Sequence, residues 1–233
     1  MTESVSGTGR KYAGIDRAGT AALYQEGAIQ EFSSFPESLN NRFNTALCFT
    51  SDSEARFREK VGNQITAIGD ELGVDFFLAG RDFKLHSTLL EGLYEGTDVA
   101  ERQQKFAQVL DGQSVGALLN GLVGKTIEYK YLLVDKGNLL LTALEIPEWV
   151  LAAREELAEA YTGQGLKPLL ITDMLHISAA RITGLPTEDQ AQKLRVYGQR
   201  MAKLRHQISA EPLVLEIGAA STGSPLNLLR SNF

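Results

Sequence analysis

The amino-acid sequence predicts an α+β protein made of two similar lobes, and three observations lead there. The 233 residues are 43% hydrophobic and 22% charged, which is the balance of an ordinary globular chain long enough to bury its own core. Segments with the period of a strand alternate with segments with the period of a helix. Taking adjacent short strands together, the order strand, helix, strand, helix, strand then occurs twice, first over about 42–135 and again over about 136–220.

Met1 to Lys11, rich in Thr, Ser and Gly, reads as a flexible tail ahead of a single domain spanning 12–233. Ala21 to Tyr24 and Ala28 to Phe32 flank Glu26-Gly27 and suggest a hairpin. Phe43, Thr45, Leu47 and Phe49 alternate with smaller residues, as on a strand. Phe57, Val61, Ile65, Ile68 and Leu72 recur at helical intervals until Gly73 stops them. Val74 to Ala79 and Phe83 to Leu90 are two short strands; Val99, Phe106 and Leu110 mark a helix ending at Gly112. Thr126 to Val134 and Leu139 to Ile146 are strands joined through Asp135-Lys136-Gly137-Asn138. Pro147 fits the first turn of a helix carrying Val150, Leu157 and Tyr161. Leu169 to Ile182 holds another strand. Thr187 with Gln190 spells a capping box for a helix with Leu194, Met201, Leu204 and Ile208 inward, and Leu213 to Ile217 is the last strand.

Composition excludes several classes of function. Cys48 is the sole cysteine, so there is no internal disulfide or multi-cysteine metal cluster, and a reducing compartment fits. No apolar stretch reaches the ~18 residues of a membrane span, and the polar start lacks the apolar core of a signal peptide. The net charge of −6 argues against a long nucleic-acid track but leaves room for a local basic pocket. The expectation is a cytoplasmic monomer with no membrane contact.

The chemistry is concentrated in Leu85-His86-Ser87-Thr88 and Leu175-His176-Ile177-Ser178. Side chains two apart on a strand share a face, with Cα atoms about 6.5–7 Å apart. His86 with Thr88, and His176 with Ser178, would each project together, and Lys84 shares the parity of His86. Ser and Thr are 29 of 233 residues, so one histidine followed two places on by a hydroxyl is unremarkable. Two such motifs in matching elements are not. His86 precedes Asp98 by twelve residues and His176 precedes Glu188 by twelve, both pairs being 90 residues apart. Breaking a phosphodiester needs one proton removed from the attacking oxygen and another given to the departing one, and histidine does either near neutrality. Hydroxyls can donate to the non-bridging oxygens. No metal or other cofactor is required.

At these residues the chain resembles the 2H phosphoesterase superfamily, which includes 2′-5′ RNA ligase-like proteins and cyclic phosphodiesterases and is named for two His-x-Thr/Ser motifs. The likeness covers about 42–217, and Ala180-Arg181-Ile182 is similar to the 2′-5′ RNA ligase-like branch. Ser178 stands where threonine is commoner, Ala179 where that branch often has leucine, and the arm before Arg42 is additional. The resemblance implies a bilobal fold, with two antiparallel sheets lining a central cleft and helices outside. It implies catalysis by His86 and His176 on a nucleotide or RNA end: a 2′,3′-cyclic phosphate, a 2′-5′ linkage or a small cyclic nucleotide. A binding module that holds an RNA end, and an RNA ligase running the reverse reaction, remain as alternatives.

Thr88, Ser178, Lys84 and Arg181 are the candidate phosphate ligands, Arg181 having the wrong strand parity unless a bulge intervenes. Phe43, Tyr129 and Tyr131 are candidates to stack on a nucleobase, although strand aromatics more often pack in a core. A metal held by His86, His176 and Asp173 is the less favoured reading. Gly124-Lys125-Thr126 lacks the first glycine and the helix of a P-loop. Gly112-Gln113-Ser114-Val115-Gly116 has the spelling of a nucleophile elbow but follows a helix. His206 reads as a solvated surface residue and Cys48 as a small core hydrophobe.

Overall fold

The structure, a computed structural model, describes residues 7–25, 28–29, 31–33, 41–169 and 173–223. It opens with helix α1 (Gly7–Ala22). The expected tail is therefore helical from Gly7 onward, and Ala21 and Ala22 end a helix where a strand was expected. Glu26 and Gly27 lie outside the described residues. Long-range contacts order α1: Lys11 pairs with Asp173 at 2.7 Å, and the Asp16 carboxylate accepts from the Val134 N–H (3.1 Å) and the Arg205 guanidinium (2.5 Å).

The span expected as the first repeat runs β1 (Arg42–Phe49), α2 (Ser51–Phe57), a π-helical turn (Arg58–Gly62), α3 (Asn63–Leu72), β2 (Asp75–Leu78), β3 (His86–Leu93), α4 (Val99–Asp111), α5 (Gln113–Asn120), β4 (Thr126–Tyr129) and β5 (Tyr131–Asp135). The second runs β6 (Asn138–Thr142), α6 (Glu148–Gly163), β7 (Lys167–Leu169), β8 (His176–Gly184), α7 (Gln190–Ala210) and β9 (Leu213–Gly223). Gly73 closes α3 at φ 69°, a left-handed turn that costs glycine little. The Asp98 carboxylate caps α4, accepting from the N–H groups of Ala100 and Glu101 at 2.8 and 3.1 Å. The expected capping box does not form: α7 begins after Asp189, at φ 50°, with no side-chain cap. Helix α5 occupies the elbow-like spelling, and Gly124 leads into strand β4, so neither decoy has the backbone its motif demands.

All named strand pairs are antiparallel, in the order β4-β9-β1-β3-β8-β6-β5, with β2 added to β8 and β7 to β3. The two expected sheets are thus halves of one, joined at the pair Ser87↔Ile177 between β3 and β8. The repeats also exchange strands: β2 and β5 of the first lie in the second half-sheet, and β7 and β9 of the second lie in the first. The run expected as one strand from Thr126 splits at Lys130, with β4 pairing to β9 and β5 to β6. Behind the sheet, Val150, Ala153, Leu157 and Tyr161 of α6 are buried where that helix packs on β3 and β7. Leu194, Tyr197, Met201, Leu204 and Ile208 are the buried stripe of α7, which packs on α3 and β5. His206 lies on the exposed side of α7.

Candidate active site

The central pair Ser87↔Ile177 sets the geometry. Its flanking residues, His86 and Thr88 on β3 and His176 and Ser178 on β8, point to the opposite face from Ser87 and Ile177, which are fully buried. Antiparallel pairing puts His86 toward Ser178 and Thr88 toward His176. The two imidazoles and two hydroxyls thus gather around that single pair, near enough for the charge of His86 to act on His176. The Ser87 hydroxyl donates to the His176 carbonyl at 2.7 Å and tightens the junction.

Each motif strand then carries a bulge at the same point. Thr45 faces Leu90 but Ala46 faces Thr88, leaving Leu89 extra; Leu139 faces Ala180 but Leu140 faces Ser178, leaving Ala179 extra. The extra residue reverses the alternation. Glu91 and Arg181 therefore come round to the face of the histidines. In the first half Glu91 is held by Arg42 at 2.7 Å; in the second, the Arg181 guanidinium lies 5.1 Å from the centre of the Phe32 ring. Arg181 reaches the site because the bulge is there.

His86 Nδ1 lies 2.8 Å from the Lys84 carbonyl. A carbonyl only accepts, so Nδ1 carries the hydrogen and Nε2 is the free acceptor of the neutral ring. Burial lowers the pKa of His86, partly offset by that hydrogen bond, and the charge of Arg181 lowers it further. Burial also lowers His176, to about 4, with added repulsion from His86, Arg154 and Arg181. Both rings therefore favour the neutral form. The Thr88 hydroxyl oxygen accepts from Asn44 Nδ2 at 3.3 Å, which leaves its own proton to donate. Among the described residues, no group of three or more His, Cys, Asp and Glu side chains is placed to hold a metal ion. A cavity of about 670 Å³ bounded by Leu23, Ile29, Leu185 and Leu194 contains none of the motif residues.

No protein-family model matches the sequence, and no curated protein matches it. Among solved structures, the chain is similar to Usb1 of Kluyveromyces marxianus at 14% identity and a TM-score of 0.40, over 81% of this chain and all of that one. A second structure of that protein, with uridine monophosphate, gives 15% identity and a TM-score of 0.43 over the same shares. At that level of similarity, only the site's own geometry bears on function.

Of the residues singled out in the sequence, His86, His176, Thr88, Ser178 and Arg181 come together on one face. Lys84 lies just before β3, half-buried like His86 between the buried Phe83 and Leu85; it lends its carbonyl to His86, and its charge acts on Glu54 and on Cys48, the strand partner of His86. Phe43 and Tyr129 are 0% exposed, which removes them as base-stacking surfaces. Phe43 stacks on Phe106 at 4.2 Å, and Tyr129 meets Phe49 edge-on at 6.0 Å. Tyr131 is half-buried beneath the Arg205 guanidinium at 5.0 Å. The aromatic row beside the site is instead Phe32, Phe77 and Phe83, with centroids 5.6 and 5.0 Å apart and Phe83 edge-on to His86 at 6.3 Å.

Sequence reasoning also missed Arg154. It is 2% exposed on α6 and donates Nε–H to the bulged Leu89 carbonyl and Nη2–H to the Met174 carbonyl, both at 2.7 Å. One guanidinium so ties the two motif strands together. Its spacing from Val150 and Leu157 puts it on the apolar face of the helix, and that was the available signal.

Proposed function

We propose that the chain is a phosphodiesterase acting on a nucleotide or RNA-end phosphodiester, a 2′,3′-cyclic phosphate or a 2′-5′ linkage, by metal-independent two-histidine acid–base catalysis. The observation that carries the reading is the set of two imidazoles and two hydroxyls around the Ser87↔Ile177 pair, with Arg181 brought beside them by the second bulge.

His86 is the base. Its Nδ1–H is committed to the Lys84 carbonyl, so Nε2 takes a proton from the attacking water. The new bond forms between water oxygen and phosphorus as the bond to the ribose oxygen breaks, and protonated His176 gives that departing oxygen its proton. His86 ends protonated and His176 neutral, and exchange with solvent restores both. Burial disfavours charge on His176, but an anionic phosphodiester between the rings supplies the counter-charge that holds its proton. Thr88 and Ser178 donate to the non-bridging oxygens, whose charge grows as phosphorus becomes pentacoordinate, and Arg181 faces the same anion.

The test is incubation with 2′,3′-cyclic mononucleotides and 2′-5′ dinucleotides, with and without EDTA, and products identified by phosphorus NMR. Monoester products that persist in EDTA are expected. Absence of turnover on every diester would overturn the reading, and activity abolished by EDTA and restored by a divalent metal would overturn the metal-independent mechanism.

A further inference from the structure

The two halves of the cleft wall are built from matching strands but are not equally open. In the first half, the rows on the cleft face are His86, Cys48, Ala219 and Thr88, Ala46, Ser221. In the second, the matching rows are His176, Thr142, Tyr131 and Ser178, Leu140, Leu133. On β9, at the rows beyond its pairing with β4, Ala219 and Ser221 are exposed, while Ala46 and Cys48 of β1 beside them are buried. On the outer strand of the second half, β5, Leu133 is fully buried, and Leu140 beside it is 7% exposed.

Helix α1 makes the difference. Tyr12 packs on Leu133 and Leu140, with Ile15 and Met174 around them, so the helix lies on the face that carries His176 and Ser178. It is fastened there at several points. The Tyr12 hydroxyl accepts from the Leu175 N–H at 2.8 Å and donates to the Leu175 carbonyl at 3.1 Å, one residue from His176. Lys11 holds Asp173, and Asp16 holds both Arg205 and the Val134 N–H. At Gly19 the helix comes so close to β5 that a Cβ would sit 2.0 Å from the Val134 carbonyl oxygen. A helix with its side chains is about 10 Å across, wide enough to fill the space a nucleotide would take over β5 and β6.

We infer that α1 is the element that sets which diesters this site accepts: it closes the cleft over β5 and β6, so that among the described residues the open side, where a chain attached to the reacting phosphate leaves, is the one at β9. The substrate is then a diester at the end of a chain, or a small one, and not a diester with long chain on both sides. The inference rests on the phosphodiesterase reading above.

The unmodified protein tests it. A 2′,3′-cyclic mononucleotide, a 2′-5′ dinucleotide and linear and circular oligoribonucleotides of one sequence, in 3′-5′ and 2′-5′ linkage, are incubated in parallel. Turnover of a small diester, or shortening of the linear oligomers from one end, with the circles intact, is expected. Opening of a circle, or internal fragments from a linear oligomer, overturns the role given to α1 and leaves the phosphodiesterase reading standing. No turnover of any substrate overturns that reading and this inference with it.

Discussion

A histidine at the first position of a strand has the carbonyl two residues back within reach of its ring, and His86 uses it at 2.8 Å to fix one tautomer. The roles assigned to the two rings have measurable consequences. His86→Ala and His176→Ala should each lower turnover by about 10²–10⁴-fold with the fold retained, by circular dichroism and melting, whereas His206→Ala on the outside of α7 should change nothing. Thr88→Val and Ser178→Ala each remove a hydrogen bond to a charged oxygen, about 1.5–3 kcal/mol, so kcat should fall roughly 10–150-fold with KM little changed. The His176 pKa is lowered from 6.5 to about 4, so the folded protein binds fewer protons than the unfolded chain between those values. The neutral ring's contribution to stability is complete above about pH 6.5 and is lost as pH falls toward 4, by up to about 3 kcal/mol. Urea unfolding from pH 4 to 7.5 should show that loss in the parent and a flatter curve in His176→Gln. The bell of kcat/KM should for the same reason centre on the acid side of neutrality.

The elements the sequence announces most clearly are those with unbroken periods, such as α7, whose inward residues Leu194, Met201, Leu204 and Ile208 are all buried. The histidine motifs were legible as well, because the strands that carry them are regular up to the hydroxyl. Beyond that point regularity ends. Each bulge left only a faint trace, an apolar pair breaking the alternation, Leu89-Leu90 and Ala179-Ala180. Those pairs occupy the same place in both repeats, and the parity of Arg181 depends on the second. Removing Ala179 should restore plain alternation with Arg181 two places after Ser178 and still on the site's face, so KM for a diester should stay nearer the parent value than in Arg181→Gln, which removes the charge. Helix α1 was illegible for a different reason: its order comes from Asp173, Val134, Leu175 and Arg205, far off in sequence. Gly19→Ala, which would force the helix off the Val134 carbonyl, should lower the melting temperature, a loss that scanning calorimetry would detect. The stacking candidates Phe43 and Tyr129 failed because residue type does not say which side of a strand meets a helix.

For the molecule as a whole, a net charge of −6 means that binding depends on a few local cations. Contact with one or two phosphates of a single strand predicts a log–log salt slope of roughly −0.7 to −1.4, and a slope steeper than about −4 in a filter-binding titration would point to an extended track. The strand exchange reaches further. Because β2 pairs with β8, β5 with β6, β7 with β3 and β9 with β1 and β4, each repeat on its own lacks two strands of its half-sheet and owns only one of the two motif histidines. A chain severed in the tight turn at Lys136-Gly137 should give two pieces that are each largely unfolded by circular dichroism. Mixed, they should regain structure and activity together, as two interlocked hooks hold only when both are present. The repeats would then be two parts of one fold and not two small proteins joined end to end, and an ancestor carrying a single repeat would have needed a second copy of itself to be folded at all.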